Sequence, residues 1–259
     1  MFDLLFKKAT TPKAAAVAVP NRAPEELTPE QRAARQADLE RQKKNDPLIG
    51  PKMGAKQVNN SLIRGMRNTK GVHIESYLTA LGALAGYSCQ MSVREALQRS
   101  NLPPEENHVL VVANGADGKK YFFGDALNKP LAEDPYSVWG LAAGAAQKMG
   151  AKLPDIGEIF SHVAATVGRR DFGVPRLPED RQPDKRPVEY VKAVWPTLLP
   201  VVKSFCDDPA EWPMLFAIAV QETIFMAKDV IEPGLAVTVV MESAVPMSKI
   251  DLPEFYRVE

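Results

Sequence analysis

The chain predicts a helix-dominated α+β fold: a helical body that carries a small three-stranded antiparallel sheet. Three observations predict it. Apolar residues recur at intervals of three and four over most of the chain. Asn114-Gly115-Ala116-Asp117-Gly118 supplies the positive-φ residues of a tight reversal between two short apolar runs. A late valine-rich run at 235–241 reads as a third strand. The hairpin needs that strand, because a lone two-stranded ribbon is marginal in water.

Residues 7–27 are rich in Ala, Pro, Lys and Glu, show no period, and have the composition of a linker. Thr28 then stands where an N-cap belongs and Pro29 where a first helical residue belongs. The helix that follows, to about Lys44, has Leu39 as its one large apolar residue, so it is solvated, marginal or in need of a partner. Asp46-Pro47 ends it, and Gly50-Pro51 reads as a further break. The expected organisation is a flexible arm over 1–46 with one polar helix at about 28–44, then a single globular helical α+β domain over 47–259. Within that domain 47–70 forms a transition onto the body.

A helix from about Val72 places Ile74, Leu78, Leu81 and Ala85 on one face. Gly82 and Gly86 cost about 1 kcal/mol each against alanine inside a helix, so they imply a close helix–helix approach. The same small-residue spacing at Gly140 and Gly144, within Ser137–Met149, suggests that these two helices pack on each other. Ser92 and Glu95 have capping-box spacing, which predicts a new short helix there. Val109–Val112 and Lys119–Phe123 form the hairpin strands. Ile156, Ile159, Phe160, Val163, Ala164 and Val167 fit one helical face. A connection over 169–187 holds four prolines, a length typical of lids, binding loops or disorder. Helices follow at about 188–206, bent or broken by Pro196 and Pro200, and at about 210–231.

Composition narrows the function classes. The chain is 45% apolar and 25% charged, ordinary for a globular protein, and its 22 prolines exceed the usual share of about 5%. Two cysteines, Cys89 and Cys206, with three scattered histidines make no zinc framework, so no metal and no cofactor is expected. The thiols suit a reducing cytosol. Ala14–Val19 is too short and too late for a secretory core, and no run approaches the ~18 apolar residues of a span. The zero net charge conceals an asymmetry: 1–70 holds 14 Lys/Arg against 7 Asp/Glu, and 71–259 holds 18 against 25. The basic stretch 52–70 lacks interleaved aromatics and the body is acidic, so nucleic acid is not an expected partner.

Several clusters are candidates for chemistry or binding. Asp155, Glu158 and His162 share one helix flank, where carboxylate and imidazole suit acid–base work or a surface pair. Gln221 and Glu222 interrupt the most apolar helix, and a carboxylate among Ile218, Phe225 and Met226 has the desolvated setting of a general acid. Glu211, Glu222 and Asp229 fall 11 and 7 residues apart, nearly on one line along the helix, which a narrow solvated seam explains without chemistry. At the N-terminus Phe2, Leu5 and Phe6 form an apolar tip behind a linker, suited to docking in a groove, to weak peripheral membrane contact, or to tucking onto the body. Arg64 and Arg67 in the basic stretch, and Arg176 in the proline-rich connection, complete the partner-binding candidates. Together these features predict a cytosolic, non-enzymatic protein–protein interaction module with a tethered docking arm. The alternative is a hydrolase that uses Glu222 or the Glu158/His162 pair.

Overall fold

Thr28 Oγ1 accepts from the Gln31 amide at 3.2 Å, and Gln31 Oε1 accepts from the Thr28 amide at 2.8 Å, a reciprocal cap. Pro29 follows at the first helical position, so helix α1 runs Pro29–Lys43. The computed structural model describes residues 6–7, 28–100 and 109–253. The apolar residue of α1, Leu39, is buried at 4% exposure. The Arg35 guanidinium lies 4.9 Å from the centre of the Phe205 ring, and Lys43 Nζ lies 3.5 Å from Glu211 Oε1. The polar helix is therefore docked on the body.

The break expected at Gly50-Pro51 is instead the first turn of an 18-residue helix, α2 (Ile49–Met66). Proline is tolerated there because first-turn N–H groups have no intrahelical partner to lose. Gly50 lets α2 approach closely, since a Cβ on it would lie 2.5 Å from the Phe205 carbonyl oxygen. The stretch read as a transition thus belongs to the core, with Ala55, Val58 and Leu62 buried.

Val72–His73 forms a short strand, β2, which pairs in parallel with β1 (Phe6–Lys7) in the register Phe6↔Val72 and Lys7↔His73. Helix α3 (Ile74–Ser100) follows at once and runs unbroken for 27 residues. The new helix expected at Ser92 does not form, because the chain before Ser92 is already helical and packed. Glu95, the would-be cap partner, binds Lys203 Nζ and Arg99 Nη2, each at 3.3 Å.

The segment 235–241 is helical, which corrects the third strand. Glu232 accepts from the Gly234 and Leu235 amides, Pro233 sits in the first turn, and helix α9 runs Pro233–Met247. Valine's strand preference is weak, and burial overrides it. α9 is apolar on every side because it is covered on every side, with Val237, Val239 and Val240 fully buried. α3 is its main neighbour. A Cβ on Gly82 would lie 2.5 Å from the Val240 carbonyl oxygen, and one on Gly86 would overlap the Ala244 carbonyl. The glycines of α3 therefore face α9, not the helix of Gly140 and Gly144.

The hairpin forms as expected. β3 (Val111–Asn114) pairs antiparallel with β4 (Lys120–Phe123), and Gly118 takes φ +77° in the turn. The third member of this sheet is the chain just after α9: the Phe122 amide donates to Lys249 O at 2.7 Å, and the Asp251 amide donates to Lys120 O at 3.0 Å.

The remaining α-helices among the described residues are α4 (Asp125–Asn128), α5 (Val138–Lys148), α6 (Ile156–Thr166), α7 (Pro187–Phe205) and α8 (Trp212–Met226). α7 keeps Pro196 and Pro200 inside it. Its Trp195 ring centres an aromatic cluster, 5.0 Å from Tyr87 and 6.1 Å from Phe216. Among the described residues no helix is long and apolar enough to cross a membrane.

Candidate functional site

Helix α2 has two unlike sides. Gly50, Gly54, Ala55, Val58, Asn59 and Leu62 recur at intervals of three and four and turn inward. The opposite side exposes Lys52, Met53, Lys56, Asn60 and Arg64, and Arg67 and Lys70 are exposed just beyond the helix. Lys52 Nζ binds Asp46 Oδ2 at 2.7 Å. The Lys56 charge acts on the Glu222 carboxylate, whereas among the described residues no carboxylate pairs with Arg64, Arg67 or Lys70. Arg64 also stands in the last turn, where a cation complements the negative end of the helix dipole. The helix escapes a reading of the sequence because Gly50-Pro51 looks like a stop. The spacing of Ala55, Val58, Leu62 and Met66 is the signal that reveals it.

Glu222 lies beside this helix, half-buried on α8. Its Oε2 accepts from Asn59 Nδ2 at 3.4 Å, and the same amide nitrogen donates to Ala219 O at 3.2 Å. Tyr77 Oη donates to Asn59 Oδ1 at 2.9 Å, and Thr223 Oγ1 donates to Ala219 O at 2.8 Å. Burial raises the Glu222 carboxyl above the ordinary range, and the Asn59 bond and the Lys56 charge pull it back. A raised carboxyl favours the native state at low pH, and that contribution is lost as pH rises through its folded value. Its neighbour Gln221 points elsewhere, donating to Leu141 O at 3.4 Å across to α5.

Asp155 caps α6, its Oδ1 accepting from the Gly157 amide at 2.9 Å and the Glu158 amide at 3.2 Å. The pair expected between Glu158 and His162 gives way to a longer-range partner: Glu158 Oε1 accepts from Arg176 Nη1 at 2.9 Å. The geometry of Arg176 explains why. Its Nε and Nη2 donate to Glu242 Oε1 at 2.9 and 2.7 Å, and its amide donates to Glu242 Oε2 at 3.3 Å. Glu242 is only 3% exposed, and a carboxylate stripped of water requires such a partner. The bond to Glu242 also raises the Arg176 guanidinium further. Asp155, Glu158, Arg176, Thr238 and Glu242 line one shallow cleft that His162 does not reach. Arg176, a partner-binding candidate, thus holds its own connection to α9.

The start of α3 holds a cluster that sequence spacing does not disclose. Arg181 Nη1 donates to Glu75 Oε1 at 2.8 Å, and His73 Nε2 lies 3.2 Å from Glu75 Oε2. His73 Nδ1 is 2.8 Å from Ser76 Oγ, which also accepts from the Asp184 amide at 2.9 Å. Serine, imidazole and carboxylate in series suit nucleophilic chemistry. Here Glu75 and Ser76 are buried at 0% and 1% exposure, and the connection 169–187 is fastened over them. The arrangement clamps that connection to α3.

Phe6 contributes its backbone to β1 on the chain's own body, while Phe2 and Leu5 lie outside the described residues. Among the described residues no group of three His, Cys, Asp or Glu stands close enough to hold a metal ion. No protein-family model, curated protein or solved structure matches this chain.

Proposed function

We propose that the chain is a non-enzymatic protein–protein interaction module that receives an acidic segment of a partner protein on the outer face of α2. The observation that carries this reading is the exposed run of Arg64, Arg67 and Lys70 without carboxylate partners among the described residues, with Lys56 exposed on the same helix. The other arginine candidate, Arg176, is spent on Glu158 and Glu242. Met53, 40% exposed on the same face, adds apolar contact beside the charges. Complementary charge at such a face speeds encounter and selects the partner. The pairing of Phe6 with Val72 favours an arm tip that docks on its own body. A cytosolic setting fits Cys89 and Cys206, which are both buried free thiols.

Affinity capture from native cytosol tests the reading, with poly-glutamate as a defined acidic probe. The wild-type chain is expected to retain both the captured protein and the probe, and raised salt releases them through screening. Arg64→Glu with Arg67→Glu weakens both by about tenfold or more, a cost of about 1.4 kcal/mol. Retention unaffected by the double reversal overturns the proposal.

A further inference from the structure

Among the described residues, the β3–β4 hairpin has one open edge. β4 is interior, paired with β3 on one side and bridged through Tyr121↔Ile250 on the other. Among the described residues, β3 has β4 beside it and no strand on its far side.

The register fixes which groups face that open side. In an antiparallel pair, opposed residues alternate between exchanging backbone bonds and pointing them away from each other. Phe122 and Lys120 direct theirs toward Lys249 and Asp251. Their opposites, Val112 and Asn114, therefore direct their N–H and C=O groups outward, away from β4. Successive side chains alternate between faces, so Val111 and Val112 stand on different faces of the strand. They are 60% and 51% exposed, so each face of β3 carries an exposed valine.

Edge strands usually carry lysine, proline or a bulge that discourages pairing. The run Val109-Leu110-Val111-Val112-Ala113-Asn114 has no charge and no proline. We infer that β3 pairs with β3 of a second copy of this chain, antiparallel about a two-fold axis at Val112. Charge decides the occupant. An identical uncharged strand meets no repulsion and leaves no ion unpaired, whereas a charged strand finds no counter-ion along this run. An isologous contact needs a patch complementary to itself, and this edge is one. The Val112 N–H donates to the mate's Val112 C=O and its C=O accepts from the mate's Val112 N–H, Val111 faces the mate's Ala113, and Asn114 faces the mate's Leu110. The result is one continuous sheet with the four hairpin strands at its centre, in place of two small separate ones. The edge is short, so the association is weak and concentration-dependent.

Sedimentation equilibrium of the full chain, from low to several hundred micromolar, tests this. The weight-average mass is expected to climb toward twice the monomer mass. Val112→Lys places like charges across the axis and is expected to hold the protein monomeric, with its thermal midpoint unchanged because the site is exposed. Amide exchange at Val112 and Asn114 slows with concentration, while Val111 and Ala113, already bonded to β4, do not change. Should Val112→Lys disturb the hairpin, Asn114→Lys on the same open edge repeats the test. A wild-type chain that stays monomeric throughout overturns the inference, and so does a dimer that both variants leave intact.

Discussion

Among the described residues three side chains of the charged types, Glu75, Glu242 and Lys249, lie almost wholly inside the protein, and they meet their desolvation in two ways. Glu75 takes Arg181 at 2.8 Å, and Glu242 takes the guanidinium of Arg176. Lys249, 3% exposed, has a neutral acceptor, Asn128 Oδ1 at 2.9 Å, and two aromatic rings, Phe123 and Phe160, at 5.7 Å. An amide and ring faces compensate a cation less fully than a carboxylate does, so burial pushes the Lys249 ammonium down to about 8. Between that value and the usual lysine range the unfolded chain binds more protons than the native one, so the Lys249 contribution to stability rises with pH across that window. Compared with Lys249→Met at each pH, the wild type should gain about 2 kcal/mol between pH 7 and pH 10. Denaturant unfolding of both proteins across that range checks it. Parallel profiles would show that the ammonium is not desolvated.

At the scale of elements, Gly86 and Gly144, each the second glycine of a pair with the same spacing, do opposite things. Gly86 lies against the Ala244 backbone, so Gly86→Ala must push α3 and α9 apart. Overpacking of that kind should destabilise by about 3 kcal/mol. Gly144, with nothing within 4 Å of its missing Cβ, should gain up to about 1 kcal/mol on Gly144→Ala from helix propensity alone. Urea unfolding of the two variants distinguishes them, and equal effects would contradict the α3–α9 packing. The spacing announces that glycine needs a reason without saying which helix supplies it. Much else was legible locally: the Thr28 cap, the Asn114–Gly118 turn and the apolar stripe of α6 are short-range patterns. What escaped depends on distant chain. The valines of α9 look like a strand until α3 covers them. Gly50-Pro51 looks like a stop until Phe205 closes over it. Of the candidate site, the basic run was visible as composition, but its place on one exposed helix face was not. Arg176 looked free because its partner, Glu242, lies 66 residues further on.

The whole molecule places its charge asymmetry in space. Within the basic residues 1–70, α1 does not stand off from the rest of the described chain, since it rests on α2 and α7 through Leu39 and Arg35, with Lys43 on Glu211. That docking revises what removing the N-terminal segment should do. Polar composition alone predicts that the body is indifferent to loss of 1–46, whereas a leucine at 4% exposure does not come out without cost. Leu39→Ala should destabilise by about 2 kcal/mol, at the low end for a buried leucine because α1 lies at the edge of the core. For a chain of this size that lowers the thermal midpoint by about 5 °C. Truncation of 1–46 should lower it at least as far, since the Arg35–Phe205 and Lys43–Glu211 contacts go as well. Truncation of 1–27 spares α1 and, among the described residues, removes the two-residue β1 pairing, so its effect should be smaller than that of Leu39→Ala. Calorimetry on the three proteins orders them. A neutral Leu39→Ala would return α1 to the status of an appended arm and leave α2, with its basic outer face, as the first element that the body requires.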